Sequence, residues 1–575
     1  MYNNLIEFIK AEGLSPFNED KIRLQGNMNS LFKTNDARAV HLRVLQKISS
    51  EFNFPSTTCI WQSFVVTNNH EEISRRKNFF AALQQTLSRE VLSSCVLARN
   101  LWHPPYSLII ATENEETFLS LKQNLCPVQL ILSENDIHSL ASYDLVQVID
   151  CEQFREVLER MPQSVFLSSL EDLYLERYLI MLSSWRDIIL LLRNNEVSPR
   201  LRGAINLLSP LVGLLEPSAR KLLTRESAQE ILDSMNDSLV KELKDITIGG
   251  DTLVTLLARE SLPKELQAAV NRVIRSGELP QQTVTPTIPL RIDEEELASV
   301  IQRQEAQQAT TLASSIVKHA ETLRVVPDYL QQISEELLLA DFTQGVLKIL
   351  PSVKRQMKTG TTFNMKEVRN ILLDNPQPIS FHLDENVRCS ILTGANSGGK
   401  TTLLEHLVQL VALSQLGISV AGDITIPLFS SVYYFAKNKG SMSKGAFETL
   451  LTRLACIEPG KGTLILADEI EAVTEPGVAG KIVCTTASYF LEKECFIVIA
   501  THLGHEIQHH LPSGARIDGI EARGLTETFY LIVDHNPIIG KLAHSTPELI
   551  IERLAKTQSG EYFMHLHKSL NGWNK

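Results

Sequence analysis

The chain has 575 residues, with 67 acidic against 55 basic side chains, a formal net charge of −12, and 43% hydrophobic and 21% charged residues. That balance belongs to folded domains and excludes a disordered or collagen-like chain. It also disfavours a protein that coats nucleic acid by bulk charge, while leaving room for a local basic groove.

At about 150 residues per domain the length predicts three or four domains. The opening MYNNLIEFIKAEG lacks the basic-then-apolar layout of a secretory signal. No apolar run approaches the ~20 residues that span a bilayer, so no membrane partner is expected. The eight cysteines form no C-x-x-C pair, which predicts buried thiols in a reducing compartment and a cytoplasmic protein.

Residues 1–90 read as helix-rich. Apolar β-type runs follow at 107–112, 127–132 and 144–150, separated by helical segments, which predicts a small parallel α/β unit. Its strand ends carry no glycine-rich loop, so no nucleotide is assigned to it. From about 152 to 350 the period is helical, broken by Pro/Gly punctuation at 198–216, 248–250 and 280–289. Asp293 offers an N-cap with Glu296 as capping-box partner. The apolar stripe that follows runs to Pro327. A single helix of that extent would be roughly 50 Å long, an arm or strut; the alternative is two shorter core helices with a kink. The stretch 351–370 holds five basic residues and one acidic, either a phosphate contact or a solvated face.

The chemistry begins at 387. The buried-strand pattern VRCSILTG leads into Gly394-Ala395-Asn396-Ser397-Gly398-Gly399-Lys400-Thr401-Thr402 and then a helical run. This is the P-loop G-x-x-x-x-G-K-[ST], in its strand–loop–helix context. Its glycines let backbone N–H groups turn toward phosphate oxygens, and the helix aims its positive end at the same anion. Lys400 reaches the β- and γ-phosphates of ATP, and the Thr401 hydroxyl ligates Mg²⁺. The apolar strand Thr463–Ala467 ends in Asp468-Glu469, 68 residues beyond Lys400. This is a Walker B pattern, with Asp468 on Mg²⁺ and Glu469 polarising the attacking water. A third buried strand, 496–500, ends in Thr501-His502, which places His502 to contact the γ-phosphate and the catalytic water.

Two further segments invite alternatives. His505-Glu506-Ile507-Gln508-His509 matches the zinc-protease H-E-x-x-H. It starts three residues after a buried ATPase strand and is closed off by Pro512-Ser513-Gly514, so a solvated polar helix start is preferred. The Ser/Gly-rich Gly440–Glu448 opens a helix and suits contact with a phosphate supplied by another chain; an ordinary helix cap is the other reading.

Together these residues resemble the MutS family of ABC-type P-loop ATPases, over roughly 363–575. The match rests on TGANSGGKTTLLEHLVQLVALSQLG with its Asn396, on ILADEIEA, on the ATH ending and on PELIIERLAK (547–556). Glu336-Leu337-Leu338-Leu339-Ala340-Asp341-Phe342 adds to it upstream. The resemblance implies an α/β P-loop ATPase domain at 363–575 with C-terminal dimerisation helices. It further implies a mainly helical core, lever and clamp at 152–362, and an N-terminal helical and small α/β region at 1–151. It also implies a homodimer with composite ATP sites, each completed by the partner's signature loop. Gly445-Ala446-Phe447 stands where the family has Ser-Thr-Phe, so Ser443 or the Gly445 backbone would supply that contact. Val368-Arg369-Asn370-Ile371 replaces the family's Arg-His-Pro. Phe17-Asn18-Glu19 lacks the glycine of the mismatch wedge, and the ~70 residues after His502 are too few for the nuclease domain of one branch. The expectation is a compact ATP-driven clamp on mismatched, branched or structured DNA. The alternatives are a clamp on ribosomes or structured RNA, and a structural subunit whose ATPase drives partner exchange.

Overall fold

Parallel strands covered on both faces become near-continuous apolar runs, and four such runs form the core of one sheet. In the computed structural model, Ser431–Phe435, Thr463–Asp468 and Phe496–Ala500 are buried along their whole length, and Cys389–Gly394 along all but its last residue. The structure describes residues 2–18, 31–216, 223–244, 246–247, 262–349, 357–394, 398–437, 444–469, 476–525, 531–543, 551, 554–556 and 561–573. The chain forms two compact units, Met1–Ser94 with Ser334–Lys575, and Cys95–Ile333.

In the first unit the main sheet runs in the order Ser431–Phe435, Thr463–Asp468, Phe496–Ala500, Cys389–Gly394, Ala515–Ile520, Ile538–Ile539. The first five strands are parallel and the last is antiparallel. The Lys400–Leu416 helix, closed at its C-terminus by Gly417 at φ +83°, is almost wholly buried. A smaller mixed sheet contains Phe363–Val368, Ile379–Leu383 and Asp423–Ile426.

The N-terminal segment belongs to this unit, which differs from the expected cuts at 151 and 362. The physical reason is a set of long-range contacts. Val432 N–H donates to Leu31 at 2.8 Å and Lys33 N–H donates to Val432 at 2.9 Å, so the segment continues the main sheet past its edge strand. Arg43 pairs with Glu405 on the Lys400–Leu416 helix at 2.6 Å. From Ser334 on, the Val326–Ile349 helix contributes Asp341, fully buried, which accepts from Asn53 N–H (2.8 Å), Phe54 N–H (3.0 Å) and the Thr57 hydroxyl (2.6 Å). Its neighbour Phe342 sits among Phe52, Trp61, Phe64, Phe79 and Phe80, with ring centroids 5.6–6.4 Å away. Phe17 packs edge-on against Phe54 rather than standing free.

The second unit holds a four-stranded parallel sheet in the order Val128–Leu130, Leu108–Thr112, Leu145–Val148, Ser164–Phe166. The three expected strands are present. The fourth, three residues long with Val165 exposed, was not among the expected strands. Helices Glu176–Arg193, Pro199–Val212, Arg225–Leu243 and Lys264–Ser276 follow.

Asp293 caps the Glu294–Lys318 helix by accepting from Glu296 N–H at 3.1 Å. The helix stops at His319, not at Pro327, and is about 38 Å long at 1.5 Å per residue. Short Ala320–Arg324 follows, and Pro327 falls in the first turn of the next helix, where a missing N–H costs nothing. Among the described residues no helix is long and apolar enough to cross a membrane.

Candidate nucleotide site

The site lies at the carboxyl ends of the parallel strands, where an open α/β sheet leaves a crevice for ligands. Gly394 ends the central strand at φ +129°, and a Cβ there would collide with the Ile520 carbonyl. Gly399 caps the following helix at φ +92°. Both positions need glycine because an L side chain is strained there. Ala395, Asn396 and Ser397 fall outside the described residues. Gly398 accepts a 2.9 Å hydrogen bond from His535 Nδ1.

Lys400, 2% exposed, opens the helix and turns its ammonium back onto the Gly394 carbonyl, 3.4 Å from His502 Nε2. Thr401 donates its hydroxyl to Asp468 Oδ2 at 2.6 Å. Thr402 lies in the same first turn, part-buried.

Asp468 ends the Thr463–Asp468 strand and is 3% exposed. Its Oδ1 is buried with no hydrogen-bond partner among the described residues. Burial pushes its carboxyl up from the ordinary range, and the Thr401 hydrogen bond opposes that. A hydroxyl and an unspent carboxylate oxygen form an oxygen donor set of the kind Mg²⁺ prefers. A cation there would also relieve the burial of the charge.

Glu469 stands one residue past the ladder at φ +49°, its N–H fixed by a 2.9 Å bond to the Ala500 carbonyl. Non-glycine residues held there cost of order 1–3 kcal/mol and cluster at functional sites. One carboxylate oxygen lies 2.8 Å from His502 Nε2 and the other is paired with the Lys437 ammonium. Burial acts to raise the Glu469 pKa, but Lys437 and His502 outweigh it and hold it below the ordinary value. His502 follows Thr501, whose N–H bonds the Leu392 carbonyl at 2.9 Å and so ties the histidine turn to the P-loop strand.

The structure therefore brings together Gly394, Gly398, Gly399, Lys400, Thr401, Asp468, Glu469 and His502. Ser443 is outside the described residues, and Gly445 lies in the first turn of the Lys444–Ala455 helix. His505 and Glu506 are exposed on a five-residue helix, Gly504–Gln508. The expected dimerisation stretch 547–556 is largely outside the described residues, and the helix Glu561–Trp573 follows it. Sequence reasoning missed Lys437 and His535. Lys437 stands two residues beyond a buried run, but only the strand order puts that run beside Asp468. Nothing local marks His535.

No family model matches the chain. The chain is 28% identical over 590 residues to the DNA-binding protein MutS2 of Pyrococcus furiosus, an alignment covering 94% of this chain and 99% of that one. It is 27% identical over 201 residues to the endonuclease MutS2 of Lactobacillus acidophilus, covering 33% of this chain and 26% of that protein. With the endonuclease MutS2 of Caldanaerobacter subterraneus the figures are 25% over 233 residues, 39% of this chain and 29% of the other. The alignments thus span between a quarter and a third of the two endonucleases, against nearly all of the archaeal protein.

Proposed function

We propose that this chain, a MutS-family protein, is an ATP-dependent DNA-binding clamp that acts on mismatched, branched or otherwise structured DNA. Two observations support the reading. The alignment with a relative named as DNA-binding runs nearly end to end. The side chains needed for phosphoryl transfer converge on one crevice.

In this proposal Lys400, freed from the Gly394 carbonyl, takes the β- and γ-phosphates of ATP, and the P-loop N–H groups cradle the same oxygens. Thr401 and Asp468 would hold Mg²⁺, which when bound neutralises charge on the phosphates. Glu469 orients the attacking water, and His502, already bonded to Glu469, contacts the γ-phosphate. Positioning and charge stabilisation carry such a reaction, so a pre-aligned pair is the useful feature.

Each site is completed by a second copy through Ser443 or the Gly445 backbone, giving a homodimer. The segments within 152–362 serve as core, lever and clamp around the nucleic acid, and the protein works in the cytoplasm. With a net charge of −12, enclosure by shape must do what bulk attraction cannot.

The test is to purify full-length Glu469→Gln protein in the presence of ATP and identify the nucleic acid that accompanies it. Structured DNA is expected. Ribosomal RNA in its place would overturn the DNA reading and favour a ribosome clamp.

A further inference from the structure

The N-terminal segment reaches the reaction centre through a short chain of contacts. Thr34 Oγ1 accepts from Tyr434 N–H at 3.0 Å and donates to the Tyr434 carbonyl at 2.7 Å. Asp36 accepts from Ala436 N–H at 3.1 Å. The last ladder pair between the edge strand and its neighbour is Phe435 with Ala467. Ala436 is thus beyond the sheet's own hydrogen bonds, and a side chain from 400 residues earlier holds its N–H. The next residue is Lys437, whose ammonium pairs with Glu469. An ordinary exposed ion pair contributes little, but here the acidic partner is 10% exposed and is gripped on its other oxygen by His502.

We infer that Lys437 is a positioning residue for ATP hydrolysis, fixing the Glu469 carboxylate in register with His502, and that Thr34 and Asp36 set the place of Lys437. The inference rests on the assignment of Glu469 as the residue that orients water. It makes the N-terminal segment part of the ATPase machinery, so that a disturbance near residues 31–36 changes turnover without touching nucleotide. A carboxylate held at both oxygens keeps one orientation, and misplacement by about 1 Å is enough to cost up to 100-fold in rate.

The experiment uses the full chain with Mg²⁺ and ATP, measuring kcat, KM and the affinity for a fluorescent ATP analogue. Lys437→Met is expected to lower kcat about tenfold with KM and analogue affinity within roughly twofold of wild type. Lys437→Arg should recover most of the loss, because a cation in the same place still pairs. Asp36→Ala should lower kcat in the same direction by about threefold. In a Glu469→Ala background, adding Lys437→Met should change nothing further. A wild-type kcat for Lys437→Met overturns the inference. So does analogue binding weakened about tenfold, which would make Lys437 a nucleotide contact. If Glu469→Ala itself turns over at the wild-type rate, it is the assignment of Glu469 that falls.

Discussion

Thr401 and Asp468 meet through a 2.6 Å hydrogen bond although 67 residues separate them. The strand that leads into His502 lies between the strand of Asp468 and the strand that feeds the Thr401 helix. The bond therefore crosses the mouth of the crevice, and it spends one Asp468 oxygen while the other stays without a partner among the described residues.

That spare oxygen gives a direct expectation. Asp468→Asn keeps the shape and removes the anionic ligand, so the Mg²⁺ concentration needed for half-maximal turnover should rise at least about tenfold. A Mg²⁺ titration of ATPase activity checks it. An unchanged midpoint would place the ion elsewhere.

Gly399 is the backbone pivot of the same loop. Gly399→Ala forces a side chain into φ +92°, with its Cβ 2.9 Å from His535 Nδ1. Stability should fall by about 1–2 kcal/mol from the backbone alone, and nucleotide affinity should fall with it. His535→Ala added to Gly399→Ala relieves the clash but not the dihedral, so thermal unfolding should show partial recovery only.

The second structural anchor is Asp341. Asp341→Ala strands the part-buried Asn53 N–H, the buried Phe54 N–H and the Thr57 hydroxyl. At roughly 1–3 kcal/mol per stranded group, a loss of about 3 kcal/mol or more is expected in urea unfolding of the first unit. A loss below 1 kcal/mol would mean that water reaches those groups.

Acid sensitivity has a traceable source in the P-loop helix. Burial holds the His406 imidazole, 1% exposed, down from 6.5 to about 4. Between those values the unfolded chain binds the additional proton, so this group's contribution to stability falls as the pH drops from about 6.5 to 4. The gap of about 2.5 units is worth roughly 3 kcal/mol at most. His406→Leu should therefore show a flatter loss of stability than wild type between pH 7 and pH 4.5. Equal slopes would contradict the assignment.

The site was legible where chemistry is local. The glycines around Lys400, the acids ending an apolar run and the Thr-His ending each announce a strand terminus, and each follows the carboxyl end of a parallel strand of the main sheet. Lys437 and His535 were hidden because their relevance comes from strand order and from a return of the chain over the P-loop, neither of which leaves a spacing signal. The same physics explains the N-terminal segment. Leu31–Asp36 joins the main sheet by backbone bonds and two small polar side chains, and backbone bonds carry no composition. Asp341-Phe342 stood out only by family likeness, whereas its physical role is a buried acceptor beside an aromatic cluster. The end of the helix at His319 leaves no mark in the sequence, because three consecutive segments share a helical period and no proline stands at the break.

In the proposed function, ATP governs the grip of this protein on structured DNA. Its most direct test is equilibrium binding of full-length Glu469→Gln protein to a four-way junction and to a plain duplex of equal length, with ATP and Mg²⁺ at about 0.15 M salt. Junction affinity at least about tenfold above duplex affinity is expected, with loss of that preference in Lys400→Ala. Equal affinities for junction, mismatched and plain duplex in the ATP-bound protein would contradict it.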